Sequence, residues 1–171
     1  MDIHAALTLH GPLRAGNPQQ VSNRFIIVAP QLPAPGGDIW SQYAPAVQQL
    51  IKAVQAQYHG DPRRTYLTGF SFGGNGVLDI AMAQSNFWAA LWAVDLTRVS
   101  ASPERPIWLC LRQGHPQTND FIAGLQLSSA KTDPQGNRLY TVSGRDHVDA
   151  ATSAYRDNRI YDWLLGKRTA D

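Results

Sequence analysis

The sequence predicts an α/β fold in which helices cover both faces of a mostly parallel sheet. Short apolar runs alternate with amphipathic stretches along the 171 residues, and this alternation is typical of repeated strand–helix units. Two of the runs are apolar almost throughout, as strands are when both faces of their sheet are covered. The length fits a single domain, which we place at residues 1–171.

Five short runs rich in apolar, aromatic and β-branched residues predict the strands. They are residues 24–30, 64–69, 87–95, 105–112 and 137–144. In a parallel sheet, functional loops follow the carboxyl ends of the strands. We therefore expect the site to lie directly after these ends, near Pro30, Gly69, Asp95, Arg112 and Ser143.

Four stretches with apolar residues at helical spacing predict the helices. They are residues 44–58, 74–84, 119–130 and 151–166. In the first, one face contains Val47, Leu50, Ile51, Val54 and Tyr58. Right-handed connections between parallel strands place such helices on both faces of the sheet.

Charge and composition exclude several classes of function. The 15 Lys and Arg residues exceed the 13 Asp and Glu residues by only two, and no basic stripe occurs, so nucleic acid is not an expected partner. No run of about 18 apolar residues is present, so the sequence predicts no membrane span. The start of the chain lacks a signal-peptide pattern, which favours a cytoplasmic location.

The cysteine and histidine content predicts no metal site. Cys110, the single cysteine, lies in an apolar run and is expected to be a buried thiol in a strand. The five histidines contain no pair with the spacing of two zinc ligands on one helix.

A Gly-x-Ser-x-Gly motif stands between a predicted strand and a predicted helix. It contains Gly69, Phe70, Ser71, Phe72 and Gly73. A turn this tight strains the serine backbone, and glycine two residues before and after it removes side chains that would clash. The pattern predicts that Ser71 is a nucleophile, against the alternative of a serine in an ordinary Gly-rich loop.

A serine nucleophile needs a base, because its free hydroxyl reacts weakly. Two histidines follow Ser71 in the chain, His115 and His147. His147 comes directly after the last predicted strand and before the last predicted helix, which is the expected sheet edge. We therefore favour His147 as the base, with an exposed loop histidine as the alternative.

The third member of such a triad is an acid that orients the histidine ring. The first carboxylate after the strand at 105–112 is Asp120, and we favour it as this acid. Asp120 would otherwise help to open a helix. The runner-up is Asp95, at the end of the preceding predicted strand.

Three aromatic residues are candidates around the nucleophile. Trp40, with nearby Asp38, is a candidate for the wall of an acyl or aryl pocket, and an equally good alternative is that it anchors a helix. Phe70 precedes the nucleophile and is a second candidate for the pocket. The backbone N–H of Phe72, directly after Ser71, is the candidate donor to an oxyanion.

Four segments of the sequence, taken in order, resemble the α/β-hydrolase esterases of the phospholipase/carboxylesterase and polyhydroxybutyrate-depolymerase-like type. They are "FIIVAPQLP", "DIW", "YLTGFSFGGNG" and "AYRDNRIYDWLL". The resemblance covers about residues 5–166. It implies a serine hydrolase that cleaves small carboxylic esters through a Ser–Asp–His triad without a cofactor. It places Ser71 as nucleophile and His147 as base, whereas "RQGHPQTND" departs from the usual acid loop.

The start of the chain departs from this family. Its members normally begin with strands that end in His-Gly-x-Gly, a loop that supplies a second oxyanion donor, whereas His10 and Gly11 lie close to the strand predicted at 24–30. This suggests a late start at Met1, a missing central strand and an unpaired sheet edge that favours a homodimer. The alternative functions are a non-catalytic binding domain, or an acyltransferase or peptidase that uses the same triad.

Overall fold

The sheet has five strands, all parallel, in a computed structural model that describes residues 3–33, 39–99 and 101–170. The strands are β1 (Tyr66–Phe70), β2 (Ala90–Val94), β3 (Ile107–Leu111), β4 (Ser128–Ser129) and β5 (Arg138–Val142). Their order across the sheet is β1-β2-β3-β5-β4, and each neighbouring pair is parallel. The predicted fold class is thereby confirmed.

Helices precede, connect and follow the strands. They are α1 (Ile3–Leu9), α2 (Gln20–Arg24), α3 (Trp40–Tyr58), α4 (Phe72–Ala83), α5 (Thr118–Leu125), α6 (His147–Tyr155) and α7 (Asn158–Leu165). A short 3₁₀ turn at Ser85–Phe87 joins α4 to β2. Within the described ranges, no helix is both long and apolar enough to cross a membrane.

The central strand β2 shows how both faces of the sheet are covered. Every residue of β2 is buried. Leu91 and Ala93 belong to one apolar cluster with residues of α3, α4 and α5, whereas Trp92 and Val94 belong to a second cluster with residues of α6 and α7. This alternation is the pleat of a strand packed on both faces. The helices therefore form two layers, as predicted.

The prediction of a strand at residues 24–30 is wrong. The chain is extended at Phe25, with φ −129° and ψ 141°, but residues 25–30 form no ladder within the described part of the chain. A cavity of about 570 Å³ borders both this segment and β1, with residues of α3, α4 and α7 among its other walls. The Phe25 ring makes an edge contact with Tyr66 of β1, with centroids 6.1 Å apart, but an apolar run becomes a strand only where a neighbour accepts and donates backbone hydrogen bonds.

Two predicted helices differ from the structure in extent, since one ends early and the other is divided in two. The stretch at 119–130 stops at Leu125, because Gln126 adopts a left-handed conformation with φ 53°, and the short strand β4 follows. The stretch at 151–166 is two helices, since Asp157 interrupts it and its side chain accepts a hydrogen bond from the Arg159 N–H at the start of α7. Local capping chemistry thus divides segments that periodicity alone joins.

Candidate active site

Ser71 occupies the sharp turn between β1 and α4. Its backbone, at φ 57° and ψ −117°, lies in a region that residues with a side chain rarely adopt. A Cβ atom at Gly69 would lie 2.2 Å from the Gly73 carbonyl oxygen, so the turn closes only with glycine there. The Ser71 N–H donates to the Val94 carbonyl at 2.9 Å, which ties the turn to the end of β2.

His147 lies beside Ser71, at the first residue of α6. Its Nε2 atom is 2.7 Å from the Ser71 Oγ atom. The Phe70 ring packs against the imidazole with centroids 4.5 Å apart. The side chain of Asp146 caps α6 by accepting a hydrogen bond from the Asp149 N–H. The predicted pair of Ser71 and His147 is therefore in hydrogen-bond contact.

The acid beside His147 is Asp95, the runner-up, and not Asp120. The Asp95 Oδ2 atom lies 2.5 Å from the His147 Nδ1 atom, and the Asp95 side chain is fully buried. Asp120 is exposed in the first turn of α5. Because Ser71 and Asp95 occupy both ring nitrogens of His147, no ring nitrogen is left for Asp120. The preference for Asp120 is corrected on this geometry.

The register of the sheet explains why Asp95 reaches the site. Val94 pairs with Cys110 in the parallel ladder of β2 and β3, and the Asp95 N–H donates to the Cys110 carbonyl at 2.7 Å. The chain then bends sharply, because Asp95 has a positive φ of 41°. Asp95 thus stands one residue past its strand, whereas Asp120 follows a whole loop and belongs to a helix.

Arg112, which the sequence analysis assigned no role, holds the Asp95 carboxylate. Its backbone N–H donates to Oδ1 at 3.0 Å and its guanidinium donates to Oδ2 at 2.6 Å. Burial alone would raise the pKa of Asp95, but the hydrogen bonds from the Arg112 N–H and from His147, with the Arg112 guanidinium, lower this pKa below its ordinary value. The sequence contains one signal for this contact, since Asp95 and Arg112 come at the ends of two predicted strands that are consecutive in the chain.

Two further histidines lie near the site. His115 is buried, its Nδ1 atom accepts from the Gln117 N–H at 3.2 Å, and burial lowers its pKa. The His10 ring makes an edge contact with Phe70, with centroids 5.2 Å apart. Burial and, secondarily, the Arg14 cation lower the pKa of His10. Both imidazoles therefore favour the neutral form more than a free histidine does.

The aromatic candidates take different positions. Trp40, the first residue of α3, packs its ring against Gly76, where a Cβ atom would lie 2.4 Å from the Trp40 Cδ1 atom. Trp40 also lines the cavity beside β1, so it anchors α3 on α4 and borders an apolar space. Phe72 begins α4, and its N–H is among the first four that have no carbonyl partner inside the helix. Asp38 lies outside the described residues.

The hydrogen-bonded chain of Asp95, His147 and Ser71 suits proton transfer. An ionised carboxylate accepts a hydrogen bond, so the proton of the neutral ring lies on Nδ1 and the lone pair on Nε2 faces the serine hydroxyl. The N-terminus of α4 adds a positive dipole end beside Ser71. This arrangement allows the imidazole to remove the hydroxyl proton while negative charge develops nearby.

Among solved structures, the fold is similar to the crystal structure of a thermostable esterase, with a TM-score of 0.59 and 21% sequence identity. The match covers 74% of this chain but only 37% of that chain. At this identity the likeness concerns the fold. No protein-family description matches the sequence. A search of curated proteins also finds no match.

Proposed function

We propose that the protein is a serine hydrolase that cleaves carboxylic esters of small molecules. The observation that supports it is the chain of contacts from Asp95 through His147 to Ser71, at 2.5 Å and 2.7 Å. A buried acid, an oriented imidazole and a serine on a strained strand-to-helix turn are the groups that acyl transfer to a serine needs. The esterase-like fold agrees with this proposal.

In the proposed reaction, the Ser71 hydroxyl passes its proton to His147 Nε2 as Oγ attacks the ester carbonyl carbon. The carbonyl π bond opens to an oxyanion, which then collapses and expels the alcohol, and His147 returns the proton to the departing oxygen. Water then repeats the sequence on the acyl-serine, with His147 again taking and returning one proton. Asp95 stays ionised throughout and stabilises the imidazolium that forms in each half.

The oxyanion lies, in this proposal, against the backbone N–H of Phe72. This group stands at the N-terminus of α4, where unpaired N–H groups and the helix dipole favour negative charge. Removing a single oxyanion donor costs on the order of 10²–10³ in rate in a well-studied protease. The Phe72 N–H is therefore a large part of the proposed rate enhancement.

The site favours small and accessible esters. The His147 side chain is 40% exposed, so the reacting atoms lie near the surface. The Phe70 ring beside His147 offers an apolar face for an acyl or alcohol group. Short p-nitrophenyl esters are therefore the substrates of choice for a first assay.

The direct test is labelling with a fluorophosphonate probe, which reacts with activated serines. We expect the wild-type chain to label at one site, identified by mass spectrometry as Ser71, and Ser71→Ala to lose the label. Hydrolysis of p-nitrophenyl acetate should fall with it, by at least about 10³-fold.

Ser22→Ala is the matched control, because Ser22 is an exposed serine in α2, outside the site. It should label and turn over as the wild type does. Equal labelling of wild type and Ser71→Ala, or no labelling of a folded wild-type chain, would overturn the proposed function.

A further inference from the structure

One oxygen atom in the site has two nitrogen neighbours, one from His147 and one from Arg112. The Asp95 Oδ2 atom lies 2.5 Å from the His147 ring nitrogen and 2.6 Å from a guanidinium nitrogen of Arg112. The second carboxylate oxygen accepts from the Arg112 backbone N–H. The Asp95 side chain is fully buried, and that of Arg112 is 29% exposed. The guanidinium and the imidazole therefore share one oxygen of a buried acid.

This sharing has two physical consequences. Arg112 contacts both oxygens of the carboxylate, with its backbone N–H on Oδ1 and one guanidinium nitrogen on Oδ2, so it limits the rotation of Asp95 and hence of the imidazole bonded to it. The guanidinium also remains positive at every pH where the site works. Its charge opposes protonation of His147, because an imidazolium and the guanidinium would share one buried carboxylate oxygen.

We propose that Arg112 is a positioning residue for the reaction, which aligns the Asp95 carboxylate and keeps His147 in its neutral, basic form at lower pH. The inference rests on the proposed function, since it concerns the same site. Arg112 touches neither the nucleophile nor the reacting carbonyl. Its effect passes through Asp95 to His147.

Other charged or titratable groups near His147 interact with it more weakly than Arg112 does through Asp95. His10, behind the Phe70 ring, and His115 each interact electrostatically with His147. Arg14 is hydrogen-bonded to Thr152 of α6. On the loop that precedes α6, the Arg145 side chain is 87% exposed and lies 3.5 Å from Asp149. Solvent screens such exposed charges, so Arg112 is the cation with the closest access to the acid.

The experiment measures the rate of fluorophosphonate labelling and of p-nitrophenyl acetate hydrolysis from about pH 5 to 9. Since the imidazole must be neutral to act, activity falls on the acid side as it becomes charged. Removing the Arg112 charge makes the imidazolium easier to form, so in Arg112→Gln this fall should move upward by about one pH unit. Arg145→Gln removes an equal charge from an exposed position and should leave the profile in place.

Two further variants separate charge from geometry. Arg112→Lys keeps the positive charge, so its acid fall should stay within about 0.3 pH units of wild type, while its plateau rate drops several-fold because an ammonium on a differently shaped side chain does not reproduce the guanidinium contact with Oδ2. Arg112→Met is a second neutral variant, for use if Arg112→Gln does not fold. An unshifted profile in a neutral variant overturns the role in charge, and an unchanged plateau in Arg112→Lys overturns the role in positioning.

Failure of this inference can be told apart from failure of the proposed function. Wild-type labelling at Ser71 is measured first, at about pH 8. If the folded wild type does not label, the proposed function fails. If it labels and the profiles of Arg112→Gln and Arg145→Gln coincide with that of the wild type, the hydrolase proposal stands and only the role of Arg112 is overturned.

Discussion

The apolar run at residues 90–94 and the apolar run at residues 25–30 are similar in composition but differ in what surrounds them. The first is strand β2, buried on both faces and paired on both sides. The second is partly exposed, with Ile26 at 50%, and faces the cavity of about 570 Å³ beside β1. The difference shows that pairing partners and not apolar content decide which run becomes a strand.

The candidate acid and the arginine that holds it lie at the ends of well-packed strands. Asp95 and Arg112 follow the buried strands β2 and β3, Ser71 follows the half-buried strand β1, and His147 follows β5 within a short loop. Strand ends that are fixed by ladders hold such side chains more precisely than loops do. Asp95 and Arg112 are therefore positioned by the packed strands.

The largest expected effect is a loss of activity that distinguishes Asp95 from Asp120 as the acid of the site. Asp95→Asn keeps the shape of the side chain but reverses the hydrogen bond that orients His147, and the corresponding change costs about 10⁴-fold in kcat in a well-studied serine protease. We expect hydrolysis of p-nitrophenyl acetate to fall by about 10³–10⁴-fold. Steady-state kinetics of the purified variant measure it.

Asp120→Asn is the matched control, because Asp120 is an exposed carboxylate on α5. Its activity should stay within about twofold of the wild type. If Asp120→Asn lost as much activity as Asp95→Asn, with both variants folded, the assignment of the acid would be wrong.

The second expected effect concerns the two apolar runs directly. Leu91→Ala removes a fully buried side chain from β2 and should cost about 2–5 kcal/mol of unfolding free energy. Ile26→Ala, at a half-exposed position, should change it by less than about 1 kcal/mol. Urea unfolding followed by circular dichroism measures both. Equal losses would show that residues 25–30 are as tightly packed as β2.

Sequence patterns predicted most of this fold because its longer strands are rich in apolar, aromatic and β-branched residues. β2, β3 and β5 fall within predicted runs, and β1 extends one residue past the run at 64–69. Residues 25–30 show the same pattern, but a single sequence does not reveal whether a neighbour pairs with them. The two-residue strand β4 is too short for any period to be visible.

The candidate site was predictable where its residues belong to local sequence patterns. The motif around Ser71 and the place of His147 are local in sequence, and the structure brings the two into contact. The acid depends on which strand end lies nearest to His147, which is a property of the sheet order. The distance along the chain favoured Asp120, whereas the ladder of β2 and β3 brings Asp95 and Arg112 together.

A third prediction compares the stability cost of added bulk in the packed core with its cost beside the cavity. Ala93→Leu adds bulk to a fully buried position of β2 and should destabilise the chain by about 1–3 kcal/mol, because a packed core has no room. Val54→Leu adds one methylene beside the cavity and should change the unfolding free energy by less than about 0.5 kcal/mol. Thermal and urea unfolding provide the measurement. A large loss in Val54→Leu would mean that the cavity is filled in solution.

The smallest expected effect is the acid dependence of stability, which tests whether the buried Asp95 carboxylate is favoured in its charged form. Its pKa is lowered in the folded chain, so its contribution is present above the pKa of the unfolded chain, about 3.9, and is lost as the pH falls through the lower folded value. In wild type, the unfolding free energy should therefore fall below about pH 5, with a contribution from Asp95 of at most about 1.4 kcal/mol per pH unit. Asp95→Asn has no such carboxyl and should show a shallower fall, while Ser71→Ala, which alters the same site without removing a charge, should follow the wild type. Asp95→Asn and the wild type could instead show equal slopes of unfolding free energy against pH. That result would mean that the Arg112 and His147 contacts do not outweigh the cost of burying the Asp95 carboxylate.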